Sequence, residues 1–103
     1  MAKRVQTRKA VDDIDQVRCK SGSFGIIREE VYVDDAAVVV KYNLVFIHLG
    51  LFRQDNGRVL GYVNAHGHHE RHRMGSAQPV SFVSYERTLR RFLDEVEALK
   101  EKA

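Results

Sequence analysis

The sequence has a single cysteine, no apolar run long enough to cross a membrane, and no repeated or low-complexity segment. Because Cys19 has no second cysteine to pair with, an intramolecular disulfide is excluded and a reducing compartment is favoured. The longest apolar stretch, residues 36–52, is interrupted by Lys41, Asn43 and His48 and falls short of a membrane span. No secretory signal pattern opens the chain. We therefore expect a cytoplasmic protein with no membrane partner.

Length and composition predict one folded domain preceded by a short extension. The chain has 103 residues, of which 44% are hydrophobic and 30% charged, which suits one modest core. Residues 1–9 carry four basic side chains and no acid, and residues 11–17 have the spacing of one amphipathic helical turn. We expect residues 1–24 to be a basic, flexible N-terminal extension and residues 25–103 to form a single domain.

Two apolar runs predict the first hairpin of an antiparallel sheet. Residues 26–33 and 37–48 are rich in β-branched and aromatic side chains and flank the turn pair Asp34-Asp35. The alternation in the second run predicts one core face, made of Val38, Val40, Tyr42, Leu44 and Phe46. Asn56-Gly57 is a strong turn signal, and residues 58–64 after it are expected to form the next strand.

The C-terminal part predicts a short strand over residues 80–83 and a helix of about five turns. Ser84 is a suitable N-cap, and no helix breaker occurs before Lys102. The apolar residues of this helix recur at helical spacing, so one face must lie on the sheet. The sequence therefore predicts an α+β fold, with an antiparallel sheet of about four strands and one long C-terminal helix packed on one face.

Histidine and arginine are concentrated in the polar segment of residues 64–75. It holds four of the five histidines, together with Arg71, Arg73 and Glu70. Residues 53–91 as a whole contain seven arginines and three acids. This excess of positive charge favours the binding of polyanions and contacts with phosphate groups. The alternative is a polar connector whose charged side chains only solvate the surface.

The residue types of the histidine segment fit three kinds of chemistry. In the first, one histidine takes the ribose 2′-hydroxyl proton, another protonates the leaving oxygen, and Arg71 or Arg73 offsets the charge on the phosphorane. In the second, His68 with either His72 or His66 ligates a metal, although no HExxH motif or cysteine pair supports a zinc geometry. In the third, the histidines and arginines grip phosphate without chemistry.

The order of several motifs resembles the TumE-type toxin family of prokaryotic toxin–antitoxin modules. The motifs are Lys41-Tyr42-Asn43-Leu44, Tyr62-Val63-Asn64, a histidine-rich loop ending in Met74-Gly75, Pro79-Val80-Ser81-Phe82, and a helix with Leu89, Phe92, Leu93 and Glu95-Val96. The likeness covers residues 26–99. The sequence departs from the family pattern at Val63, where the family has aspartate, and in the position of its His-x-His motif.

The resemblance implies a small cytoplasmic toxin that acts on RNA and is held by an antitoxin of helix-turn-helix type. From the family pattern, Asn64, His72 and Gly75 are carried over, together with His68 and His69. A homodimer is compatible with the open sheet edges of a small meander.

These observations lead to one prediction of function and one alternative. We expect a toxin-like ribonuclease that needs no metal or cofactor. Its catalytic residues are predicted to be His68, His69, Arg71 and His72, and its substrate-binding residues Asn64, Arg73, Arg87, Arg90 and Arg91. The alternative is a non-catalytic module that binds nucleic acid or protein through the basic region of residues 53–91.

Overall fold

The computed structural model describes residues 6–65 and 67–103, which form an antiparallel six-stranded sheet and one α-helix. The elements are β1 (Arg8–Arg18), β2 (Phe24–Val33), β3 (Val39–Ile47), β4 (Arg58–Val63), β5 (Glu70–Arg73), β6 (Ser76–Pro79) and α1 (Tyr85–Lys100). The strands lie in sequence order, each beside the next. The predicted α+β class is confirmed. The predicted number of about four strands is wrong, because β1 and the β5–β6 hairpin add to the sheet.

Strand β1 occupies part of the predicted N-terminal extension. The helical turn expected over residues 11–17 is wrong, since β1 pairs with β2 from Arg8 opposite Val33 to Arg18 opposite Phe24. Cross-strand charge pairs explain why so polar a segment is extended. Lys9 lies 3.0 Å from Glu30 on β2. The first five residues of the predicted extension lie outside the described part of the chain.

The histidine segment ends in a β-hairpin rather than in a continuous loop. Its residues Glu70–Arg73 form β5 beside β4, and Ser76–Pro79 form β6. The turn between them has positive φ angles at Met74 (45°) and Gly75 (85°), as expected for a two-residue hairpin. The prediction of a strand at residues 80–83 is therefore wrong, because the strand that pairs with β5 is Ser76–Pro79 and ends before residue 80.

The remaining elements follow the sequence closely. The strands predicted at residues 26–33, 37–48 and 58–64 are confirmed as β2, β3 and β4. The turn before β3 is held by the Asp34 carboxylate, which accepts hydrogen bonds from the backbone N–H groups of Ala36 and Val38. Ser84 is the N-cap of α1, as predicted, and its hydroxyl accepts a hydrogen bond from the N–H of Arg87.

The core lies between α1 and the centre of the sheet. Its buried side chains include Tyr42, Leu44 and Phe46 of β3, Leu60 and Tyr62 of β4, and Phe92, Val96 and Leu99 of α1. The predicted core face of β3 is thus confirmed for its last three members. Val38 and Val40 are exposed and Val39 packs against the core instead, because the β2–β3 register shifts at this point and leaves Val40 without a partner on β2. The opposite face of the sheet, which we call the open face, carries no helix in the described part of the chain.

Candidate functional site

Strand β5 divides the predicted catalytic residues between the two faces of the sheet. Successive side chains of a strand point to opposite faces. Arg71 points toward α1 and contacts Glu95 there, whereas His72 points to the open face and contacts Arg58. His69 lies on the helix side, beside Tyr42. The four residues therefore do not form one cluster.

On the open face, four side chains form what we call the open-face cluster, which consists of Arg58, His68, Glu70 and His72. The Glu70 carboxylate contacts both imidazoles. One oxygen lies 2.7 Å from Nε2 of His68, and the other lies 3.6 Å from Nε2 of His72. A guanidinium nitrogen of Arg58 lies 3.2 Å from Nδ1 of His72. The cluster thus combines a carboxylate, two imidazoles and a guanidinium.

These contacts define the hydrogen-bonding state of His72. A guanidinium can only donate, so Nδ1 of His72 accepts the hydrogen bond from Arg58. The neutral ring then carries its hydrogen on Nε2, the nitrogen that faces Glu70. His72 therefore has both a cation and an anion beside it, one at each ring nitrogen.

The local fold positions each member of the cluster. Residues 68, 70 and 72 are two apart, so an extended chain aligns them on one face. Arg58 follows the turn at Asp55–Gly57, where Asp55 accepts a hydrogen bond of 2.7 Å from Nε of Arg58. Gly61 is the register partner of His72, and its lack of a side chain leaves room for Arg58 to cross β4.

Solvent access differs within the cluster. The His68 side chain is 61% exposed, whereas Glu70 and His72 are 18% and 21% exposed. Partial burial strengthens the interaction of charged groups by excluding water. The cluster is therefore open at His68 and sheltered at Glu70 and His72.

The helix-side histidine has a different environment. The His69 ring stacks on Phe82, with 4.0 Å between ring centroids and 10° between planes. Its Nδ1 lies 2.7 Å from the phenol oxygen of Tyr42, and its backbone oxygen accepts a hydrogen bond from the N–H of Val80. These contacts make His69 a packing residue that holds residues 80–82 against the sheet.

The helix-side arginine belongs to a polar network with Glu95. Nε of Arg71 donates to both carboxylate oxygens of Glu95, at 3.1 and 3.0 Å, and the Tyr62 hydroxyl also donates to Glu95. Burial alone would raise the pKa of Glu95, but the hydrogen bonds from Arg71 and Tyr62 hold it below its usual value. Burial, and then the hydrogen bond to Glu95, raises the pKa of Tyr62 to about 12.

The predicted substrate-binding residues are also dispersed. The Asn64 side chain is engaged with β3, since its oxygen accepts from the N–H of Tyr42 at 2.9 Å and its nitrogen donates to the carbonyl of Val40 at 3.1 Å. Arg73 shares a surface depression with Arg71 and Glu95. The three helix arginines, Arg87, Arg90 and Arg91, lie on the exposed side of α1, about a groove.

Two members of the open-face cluster, Arg58 and Glu70, are not among the site residues predicted from the sequence. Glu70 enters the prediction only as a member of the histidine segment, although an extended chain over residues 68–72 would place Glu70 on the same face as His68 and His72. Arg58 gives no such signal, because it lies 14 residues from His72 and meets it only through the pairing of β4 with β5. His66 lies outside the described residues.

Three further observations concern ligands, membranes and relatives. Among residues 6–65 and 67–103, no three His, Cys, Asp or Glu side chains are arranged to hold a metal ion. No helix of the described chain has the length and apolar character to span a membrane. No protein-family model, curated protein or solved structure matches this chain.

Proposed function

We propose that this chain is a metal-independent RNA-cleaving protein of the toxin type, with the open-face cluster as its active site. The observation that carries the proposal is the contact of one carboxylate, Glu70, with two imidazoles, while Arg58 contacts the second imidazole. The resemblance of residues 26–99 to TumE-type toxins supports the toxin class. Glu70 and Arg58 replace His69 and Arg71 in the catalytic set.

The cluster contains the groups that transesterification of RNA requires. When Arg58 turns from His72 to the phosphate, Nδ1 of His72 can act as the base that takes the proton of the ribose 2′-hydroxyl, and the 2′-oxygen attacks phosphorus. The other imidazole, protonated, gives its proton to the leaving 5′-oxygen as the P–O bond breaks. Arg58 donates to the charged oxygens of the phosphorane. The products are a 2′,3′-cyclic phosphate and a free 5′-hydroxyl.

Glu70 has an orienting role in this proposal. Its two oxygens face one nitrogen of each imidazole, so it holds both rings on the open face. A carboxylate beside an imidazole also stabilises the imidazolium that forms when the base accepts a proton. In the toxin class that we propose, the partner expected from the resemblance is an antitoxin of helix-turn-helix type.

The test compares the rates of RNA cleavage of variants substituted on the open face with that of a variant substituted on the helix side of the sheet. We expect His72→Phe and Glu70→Gln to lower the rate of RNA cleavage at least about 100-fold. His69→Phe is the matched control, because it makes the same histidine-to-phenylalanine change as His72→Phe but on the helix side of the sheet. The new ring still packs against Phe82. It should leave the rate within about threefold of wild type.

Product analysis and chelation complete the test. Cleavage should yield 2′,3′-cyclic phosphates, persist in EDTA, and fail on RNA whose 2′-hydroxyls are methylated. Unchanged cleavage by folded His72→Phe and Glu70→Gln proteins would reject the open-face cluster as the active site. Salt-sensitive RNA binding without cleavage products would reject the ribonuclease and favour the non-catalytic binding module.

A further inference from the structure

A cleft lies on the other side of the sheet, between the start of α1 and the segment that leads into it. Its volume is about 270 Å³. Val80, Ser81 and Val83 line one side. Arg87, Thr88 and Arg91 of α1 line the other, and Tyr62 of β4 lies at its base. None of these residues belongs to the open-face cluster, so the proposed cleavage chemistry does not account for the cleft.

Two arginines give the cleft a positive rim. Arg87 and Arg91 are four residues apart on α1 and therefore lie on the same side of the helix. Within residues 6–65 and 67–103, the Arg87 guanidinium makes no ion pair. Arg91 lies 3.7 Å from Glu95 and 5.7 Å from the Tyr62 ring centroid, and its side chain is 54% exposed. Both groups can turn to an anion at the mouth of the cleft.

Two of the three residues on the opposite side of the cleft are the apolar Val80 and Val83. Val83 is 71% exposed, and Phe82 beside it is also exposed. At the inner end lies Thr88, whose buried hydroxyl is engaged within the fold, since it donates to the carbonyl of Ser84 at 3.1 Å and lies beside the Tyr42 hydroxyl. Valine side chains on one side and two guanidinium groups on the other together suit a planar base that carries a phosphate.

We propose that this cleft binds one phosphate-bearing nucleotide of a single-stranded RNA. The base lies against Val80 and Val83, and the phosphate lies between Arg87 and Arg91. The volume is smaller than that of the pockets that enclose drug-sized ligands, which are about 300–1,000 Å³, so the cleft has room for no more than one nucleotide and the rest of the strand runs outside. This binding site goes beyond the proposed cleavage and does not require it.

The experiment measures binding of adenosine 5′-monophosphate to the full chain by NMR titration. Adenosine and inorganic phosphate, titrated separately, distinguish the contributions of the base and the phosphate. We expect saturable shifts of the Thr88 and Arg91 amide resonances, and weaker binding of either fragment alone. Arg87→Ala should weaken binding about tenfold, the usual loss for a charged hydrogen bond.

Arg90→Ala is the matched control. It removes the same charge from the same helix, but Arg90 lies outside the cleft. It should change the dissociation constant less than about twofold. If Arg90→Ala weakened binding as much as Arg87→Ala, the attraction would be general electrostatics and the site would be rejected. Absence of saturable binding, or equal affinity for inorganic phosphate, would also overturn it.

The outcome is separable from that of the cleavage test. His72→Phe and Glu70→Gln alter only the open face, so both variants should bind adenosine 5′-monophosphate like wild type. A hexaglutamate peptide that competed with the same affinity would overturn the nucleotide assignment, because it would show that any polyanion fills the cleft. Failure of RNA cleavage would leave the binding result unaffected.

Discussion

Arg71 on β5 and Glu95 on α1 are joined by paired hydrogen bonds across the two layers of the fold. Nε of Arg71 reaches both oxygens of Glu95, at 3.1 and 3.0 Å. The two side chains are 16% and 24% exposed, so water screens the pair only in part. Because β5 is short and carries Glu70 and His72 on its other face, this pair also fixes the strand on which the open-face cluster depends.

Removing one partner of this pair should destabilise the fold more than removing both. We expect Arg71→Met to lower the free energy of unfolding by about 2–3 kcal/mol, because it leaves a partly buried carboxylate without its main donor. The double variant Arg71→Met/Glu95→Met should lose less than Arg71→Met alone, because no carboxylate is then left without its donor. Urea denaturation of the four proteins in the cycle measures the coupling, and strictly additive losses would contradict it.

The lowered pKa of Glu95 predicts a loss of stability in acid. A carboxyl whose pKa is lower in the folded chain than its usual 4.5 stabilises the fold fully above pH 4.5. That contribution disappears as the pH falls below 4.5 through the folded pKa. Asp12 and Glu30 also have lowered pKa values, chiefly through hydrogen bonds from Lys9. The difference between the wild-type and Glu95→Gln stability curves therefore isolates Glu95, and parallel curves would contradict the prediction.

The raised pKa of Tyr62 predicts a second loss of stability, in alkali. Burial and the hydrogen bond to Glu95 raise this pKa from 10.0 to about 12. The folded chain therefore keeps a proton that the unfolded chain releases, and stability falls as the pH rises from 10 toward 12, by about 1.4 kcal/mol for each unit of pKa difference. Tyr62→Phe should show a smaller alkaline loss than wild type, measured by urea denaturation between pH 9 and about 11.

The parts of the fold that the sequence predicts are those with strong local signals. The alternation of Tyr42, Leu44 and Phe46 indicates β3, and Ser84 before an apolar stripe indicates the start of α1. Strand β1 has no comparable signal, because most of its side chains are exposed and its extended form depends on pairing with β2. Such pairing is a tertiary effect that local propensity does not contain.

In the candidate site, too, local sequence signals predict some features, and others depend on strand pairing. Composition alone points to the histidine segment, but it does not decide which side chains share a face. Once residues 70–73 are recognised as a strand, the two-residue period separates His72 from Arg71. Arg58 contacts His72 only because of the register of β4 against β5. Arg58 lies outside residues 64–75, so the sequence of that segment cannot predict the contact.

Gly61 offers a test of the route by which Arg58 reaches His72. A Cβ placed on Gly61 would lie 3.1 Å from Cδ of Arg58, a distance at which the flexible arginine must shift. We expect Gly61→Ala to lower the rate of RNA cleavage about tenfold by moving the guanidinium away from His72, with little loss of stability. The double variant Gly61→Ala/Arg58→Ala should be no slower than Arg58→Ala alone, because both changes remove one contact. Additive rate losses would show that Gly61 acts in some other way than through Arg58.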